Sequence, residues 1–248
     1  LAAAGEAQGL APELALQLAN SETGVIQPIK EMAEKAHAVG ALFHTDAVQG
    51  AGRLDISLET LGVDFISLSA HKFAGPQGVG AIIYREGLAL PRLMLGGGQE
   101  KNCRAGTHNT AGIAGMGLAA EIALNQRANY EKICQMRDDL ESKIHQLSNQ
   151  AVIYGENAPR VGNTMNVGLP GIPAQTQLMA LDLDGIAVSS GSACSSGAFK
   201  PSHVLTAMGA DEEAAKSALR ISLGWATTQA DLDRFFDSWS KLVERNNK

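Results

Sequence analysis

Along the chain, short apolar runs alternate with stretches whose apolar residues recur at helical spacing. Ile29, Met32, Ala33 and Ala36 fall on one face of a segment opened by Pro28 and closed by Gly40, which predicts a helix over residues 28–39. Ala41, Leu42, Phe43 and His44 then predict a short strand ending at Thr45-Asp46. The pattern repeats over residues 61–69, where a strand over 64–69 delivers Ala70-His71-Lys72 beyond its end. A third strand follows at residues 80–84, rich in residues that suit a pleated, buried surface. Strands alternating with helices imply a parallel or mixed sheet covered on both faces. In such sheets, polar groups just past the strand ends are the expected active-site positions.

Residues 111–128 are small and helix-forming, which suits close helix packing or a subunit contact. The pattern changes at Asn129, where Ile133, Met136, Leu140, Ile144 and Leu147 mark a long amphipathic helix. A domain boundary is therefore expected between residues 1–128 and 129–248. The second part reads as a helix, a strand (163–167), a helix (175–183), a strand (186–190), a helix (201–208), a strand (218–223) and a last helix (229–244). The expected fold class is α/β: a mainly parallel sheet with helices on both faces, followed by a smaller α+β domain. The chain opens at Leu1 with small residues and no completed element, which gives the expectation that it starts partway through a longer protein.

Composition narrows the classes of function. With 45% hydrophobic and 19% charged residues the profile is that of an ordinary globular protein. A net charge of −6 argues against nucleic acid or an anionic membrane as the main partner. No apolar run has the length of a membrane span, and no secretory signal opens the chain. The 3 cysteines lack metal-type spacing, and His37, His44, His108, His145 and His203 are dispersed, so neither a disulfide scaffold nor a resident metal site is expected. The expected compartment is the reducing cytoplasm, where a thiol stays available.

One thiol stands apart. Cys194 lies within Ser189-Ser190-Gly191-Ser192-Ala193-Cys194-Ser195-Ser196-Gly197, a run with almost no side chain to pack. A structural cysteine sits among larger apolar neighbours, whereas a Gly/Ser run favours a solvated segment, so this thiol reads as one that moves or reacts. Cys134, on the amphipathic helix, and Cys103, beside Arg104, read as packing residues.

A second group gathers near the strand ends: Asp46 and Gln49 after one strand, Ser69, His71 and Lys72 after the next. Taken singly, Lys72 reads as a solvated loop lysine and Asp46 is ambiguous with a cap or turn residue. Taken together, a lysine for a Schiff base and an acid for a pyridinium nitrogen meet the two needs of pyridoxal 5′-phosphate chemistry. Ser69 and His71 add donors suited to a phosphate, and Gln49 one for a ring hydroxyl.

These segments, with Asn20-Ser21-Glu22-Thr23-Gly24, His44-Thr45-Asp46-Ala47-Val48-Gln49, Ser69-Ala70-His71-Lys72 and Arg104-Ala105-Gly106-Thr107, stand in the order found in cysteine desulfurases. Over essentially its whole length the chain resembles the branch of that family that feeds iron–sulfur cluster assembly and carries a Ser-Ser-Gly-Ser-Ala-Cys loop. The resemblance implies a fold-type I pyridoxal-phosphate enzyme that works as a homodimer. It makes Lys72 the Schiff-base lysine, Asp46 the pyridinium partner, Gln49 the ligand of the ring hydroxyl, and Ser69 and His71 phosphate ligands. Thr107 becomes a phosphate contact given to the other subunit, Asn20 a residue near the cofactor hydroxyl and the substrate carboxylate, and Arg220 the arginine that pairs with that carboxylate. Lys72, His71 and Cys194 form the implied catalytic set. The implied reaction takes L-cysteine to L-alanine and leaves the sulfur on Cys194 for a scaffold or other acceptor protein; a transient iron–sulfur contact at Cys194 is conceivable. The family also carries an N-terminal Thr-Glu phosphate-binding turn and a histidine stacked on the cofactor, which this sequence does not contain. A selenocysteine lyase, or a cofactor-free module for dimerisation or sulfur carriage, are the alternative readings.

Overall fold

The computed structural model describes residues 13–88, 90–92, 94–191 and 201–246. The chain divides into two compact units: residues 13–18 with Gln27–Arg127, and Ala19–Ile26 with residues 128–246. This is not a single cut after residue 128. The short segment Ala19–Ile26 is flanked on both sides by first-unit chain but packs in the second.

In the first unit, β1 (Glu13–Gln17), α1 (Ile29–Ala38), β2 (Leu42–Asp46), α2 (Leu58–Leu61), β3 (Phe65–Ser69), β4 (Gly80–Tyr84) and α3 (Thr110–Asn125) follow in order. The sheet order is β1-β2-β3-β4. The first three strands are parallel and β4 is antiparallel to β3, so the sheet is mixed. Helix α1 forms where the apolar spacing places it: Ile29, Ala33 and Ala36 are its buried residues, and Pro28 occupies the N-cap position rather than the interior. Gly40 closes the segment with a φ of 73°.

Registers fix the working edge of the sheet. Gln17 pairs with Asp46 and Asp46 with Ser67, so the C-terminal ends of the parallel strands emerge together. Two glycines keep the chain tight beyond β3. A Cβ at Gly80 would lie 2.6 Å from the Leu68 carbonyl oxygen, and one at Gly75 2.8 Å from the Ala70 Cβ. Strand β4 departs from the burial expected of it, because it is an edge strand: Ile82 and Ile83 are 50% and 41% exposed. The small-residue helix α3 likewise leaves Ile113, Leu118, Ile122 and Leu124 exposed.

The second unit continues with α4 (Arg127–Leu147), β5 (Val152–Ile153), β6 (Thr164–Gly168), α5 (Ala174–Leu183), β7 (Ser189–Ser190), α6 (His203–Ala207), α7 (Glu212–Lys216), β8 (Ala218–Ser222) and α8 (Gln229–Asn246). Its sheet is antiparallel, in the order β5-β6-β8-β7. Every residue of β6 is buried. Leu140 and Ile144 of α4, Met165 and Val167 of β6, Leu219 and Ile221 of β8, and Phe235 and Trp239 of α8 share one apolar core. The fully buried Gln177 amide is bonded at both ends: it donates to the Ile172 and Ser217 carbonyls at 2.8 Å and accepts from Trp239 Nε1 at 2.9 Å. Pairing of this kind removes the cost of burying an amide.

Candidate functional site

The first unit sets its polar groups in turns just beyond β2 and β3. Asp46 ends β2, and one of its carboxylate oxygens accepts from the Val48 amide at 2.9 Å. That bond closes an Asx turn which carries the chain on to Gln49. Strand β3 ends at Ser69, and a 3₁₀ turn over Ala70–Phe73 presents His71 and Lys72. Ser69 Oγ and His71 Nδ1 lie 2.9 Å apart, which leaves Nε2 as the imidazole nitrogen for a ligand. Among the described residues, Lys72 Nζ has neither a hydrogen-bond nor an ion-pair partner.

Arg53 ties these two turns together. Its Nη1 donates to the Gln49 carbonyl at 2.7 Å and its Nη2 to the Lys72 carbonyl at 3.0 Å. Sequence reasoning overlooked this residue, because its role is to grip two backbone oxygens that no motif marks. Thr107 is exposed and follows Gly106, whose φ is 105° and whose amide donates to Gln99 Oε1 at 3.2 Å. The preceding turn places Glu100, Lys101 and Asn102 in the left-handed region at φ 49°, 52° and 68°, a costly conformation for residues with a Cβ.

The second unit holds Asn20 and Arg220. Asn20 Oδ1 accepts from the amides of Glu22 and Thr23 at 2.9 and 3.1 Å, which fixes the side chain and leaves its amide nitrogen as a donor. Arg220 lies on β8 opposite Asn166 of β6 and Ser189 of β7. Its Nη1 donates to the Ser21 carbonyl at 3.2 Å. Its Nε is buried with no partner among the described residues. A guanidinium presents a planar fork of donors whose geometry a carboxylate matches. Asn20 and Arg220, both assigned to the substrate carboxylate by the family resemblance, lie in one unit, where Arg220 bonds the residue that follows Asn20.

Cys194 lies outside the described residues, as does the Ser192–Ser196 part of its motif. Of the other thiols, Cys134 packs against Gly162 so closely that a Cβ there would sit 2.1 Å from its sulfur. Burial pushes the Cys134 thiol up from its ordinary pKa, away from reactivity. No group of acidic, histidine and cysteine side chains among the described residues is arranged to hold a metal.

Residues 12–235 match the family model for aminotransferase class-V. The chain belongs to this family. Among curated class-V relatives, it is 40% identical over 233 residues to the cysteine desulfurase IscS of Dictyoglomus turgidum, covering 94% of this chain and 59% of the relative. It is 44% identical over 239 residues to the cysteine desulfurase of Cereibacter sphaeroides, covering 95% of this chain and 61% of the relative. The chain therefore spans about three fifths of the length of the relatives it matches. Among solved structures, a NifS-like protein from Rickettsia africae superposes with a TM-score of 0.86 at 37% identity, covering 94% of this chain and 62% of that one. A second NifS-like protein gives 0.83 at 35% identity, covering 95% and 62%. The α/β fold expected from the sequence is the fold of these neighbours.

The class-V family depends on pyridoxal phosphate. The donor set of the first unit fits that group: an unpartnered lysine amine, a strand-end carboxylate, an amide, and a hydroxyl beside an imidazole. Each supplies the donor or acceptor that one part of the cofactor requires.

Proposed function

We propose that the protein is a pyridoxal-phosphate-dependent cysteine desulfurase that converts L-cysteine to L-alanine and passes the sulfur to Cys194. The observation that carries this reading is that, within the first unit, the Lys72 amine beyond β3 and, within the second, the Arg220 Nε on β8 have no partner among the described residues.

When bound, pyridoxal phosphate supplies an electron sink for the substrate Cα. Lys72 would hold the cofactor through its amine and, once released from it, would move the α-proton. The Asp46 carboxylate would keep a proton on the pyridine nitrogen, and Gln49 would donate to the ring hydroxyl. Ser69 and His71 would hold the phosphate, and Thr107 would reach it across the interface of a homodimer. Arg220 and the Asn20 amide orient the carboxylate of L-cysteine.

The Cys194 thiolate attacks the substrate sulfur. An S–S bond forms, the Cβ–S bond breaks, and its electron pair stays on carbon, which takes up a proton to become the methyl group of alanine. The outer sulfur of the Cys194 persulfide is then delivered to a scaffold protein of iron–sulfur cluster assembly in the cytoplasm. The identities of the curated relatives support this reading.

The test is to incubate the intact protein with L-cysteine and measure alanine. The reading expects alanine formation that is lost in Lys72→Ala together with the visible absorbance of the bound cofactor. Equal or better turnover of selenocysteine in Cys194→Ser would instead favour a lyase.

A further inference from the structure

Asn166 lies fully buried in β6, and the reaction above gives it no task. Its Nδ2 donates to the Glu22 carbonyl at 3.2 Å, a bond that only the nitrogen end of the amide can give. The other end, Oδ1, is buried with no partner among the described residues. An unpaired buried acceptor costs stability, so its presence in the middle of a packed strand calls for a reason.

Across the sheet, Asn166 is the register partner of Arg220 in β8. Side chains at paired positions of antiparallel strands stand on the same face, with Cβ atoms about 4.5–5.5 Å apart. Arg220 carries the complementary group: its Nε, a donor, is also buried without a partner among the described residues. The two residues grip consecutive carbonyls of one turn, Arg220 Nη1 that of Ser21 at 3.2 Å and Asn166 Nδ2 that of Glu22. That turn starts at Asn20, whose Oδ1 takes the Glu22 and Thr23 amides. Asn166, Arg220 and the Asn20 turn all belong to the second unit.

We propose that Asn166 is a positioning residue for the substrate carboxylate: its Oδ1 takes Arg220 Nε when the terminal nitrogens of the guanidinium turn to that carboxylate. This rests on the desulfurase reading. In the structure Nη1 is committed to the Ser21 carbonyl. A carboxylate that draws the fork away from that carbonyl lets Nε close on Asn166 Oδ1, and both unpaired atoms are then satisfied. A bond made only with a carboxylate on the fork strengthens binding of carboxylates and of nothing else. A purely structural amide, acting through the Glu22 carbonyl alone, would lower stability without distinguishing one ligand from another.

The experiment compares Asn166→Ala and Asn166→Asp with the unaltered intact protein. The readouts are KM and kcat for L-cysteine, thermal stability, and the dissociation constants of L-alanine and L-alaninamide from titration of the cofactor absorbance. Alaninamide keeps the amine and the methyl group but lacks the negative charge. Asn166→Ala should raise KM and the L-alanine dissociation constant at least about tenfold, with kcat, absorbance and alaninamide binding within about twofold. Asn166→Asp should weaken L-alanine further, because a carboxylate opposite Arg220 occupies the guanidinium itself. The proposal is overturned if L-alanine binding is unchanged, if alanine and alaninamide weaken equally, or if stability alone falls. Should Asn166→Ala fail to fold, the same criteria apply to Asn166→Asp, which keeps the shape of the side chain. Unaltered protein that makes no alanine from L-cysteine, with the carboxylate-specific loss still seen in the variants, would sink the desulfurase reading and spare the role of Asn166. Normal turnover without that loss does the reverse.

Discussion

The two units hold their polar groups in opposite ways. In the first, Asp46, Gln49, Ser69, His71 and Lys72 stand in short turns beyond parallel strands, and local backbone bonds shape those turns. In the second, the turn that fixes Asn20 locally is itself held from far along the chain: Arg220 bonds the Ser21 carbonyl across 199 residues and Asn166 the Glu22 carbonyl across 144. The contrast suits two tasks. A large cofactor needs an accessible edge with donors spread along it, whereas a small carboxylate needs a pair of donors fixed to a fraction of an ångström.

Substitutions should separate the two regions, and the largest effect belongs to the first. Lys72→Ala should lower alanine formation by about a thousandfold or more and abolish the cofactor absorbance, measured by amino-acid analysis and visible spectroscopy. Arg220→Lys should lower kcat/KM by about a hundredfold through loss of the bidentate fork while the absorbance persists. An absorbance lost with Arg220→Lys would erase the division between cofactor and substrate groups.

Arg53→Met should lower kcat by about tenfold, since it releases the clamp on the Gln49 and Lys72 carbonyls without touching a donor to the cofactor. Trp239→Phe should leave turnover per folded molecule unchanged but destabilise the protein by about 1–3 kcal/mol, because Gln177 Oε1 loses its donor in the core. Denaturant unfolding would show it. The smallest effect concerns Cys134, whose alanine variant should keep activity within about twofold. Its folded-state pKa is raised by burial, so alkylation of the native protein should stay slow through the ordinary cysteine range and quicken only at higher pH.

The same contrast explains how much could be read in advance. Strands β2, β3 and β4 follow from short apolar runs, and the groups beyond β2 and β3 follow from sequence neighbours, so the first-unit candidates were legible as a set. Arg220 and Asn20 were legible only through family resemblance, because their meeting requires β8 to lie beside the Asn20 turn. Strand β1 went unread because Glu13–Gln17 alternates exposed and half-buried positions with no buried run to mark it. The strand expected over residues 186–190 shrinks to Ser189–Ser190, since only those residues pair with β8. Neither the Arg53 clamp nor the pairing of Asn166 with Arg220 leaves a signal in sequence spacing, because each is made by folding alone.

The most direct measurement is mass spectrometry of the intact protein after a single turnover with L-cysteine. The account predicts one added sulfur on Cys194 for each alanine released, with Cys103 and Cys134 unmodified. Alanine released with no sulfur on Cys194, or with the sulfur on another cysteine, would contradict it.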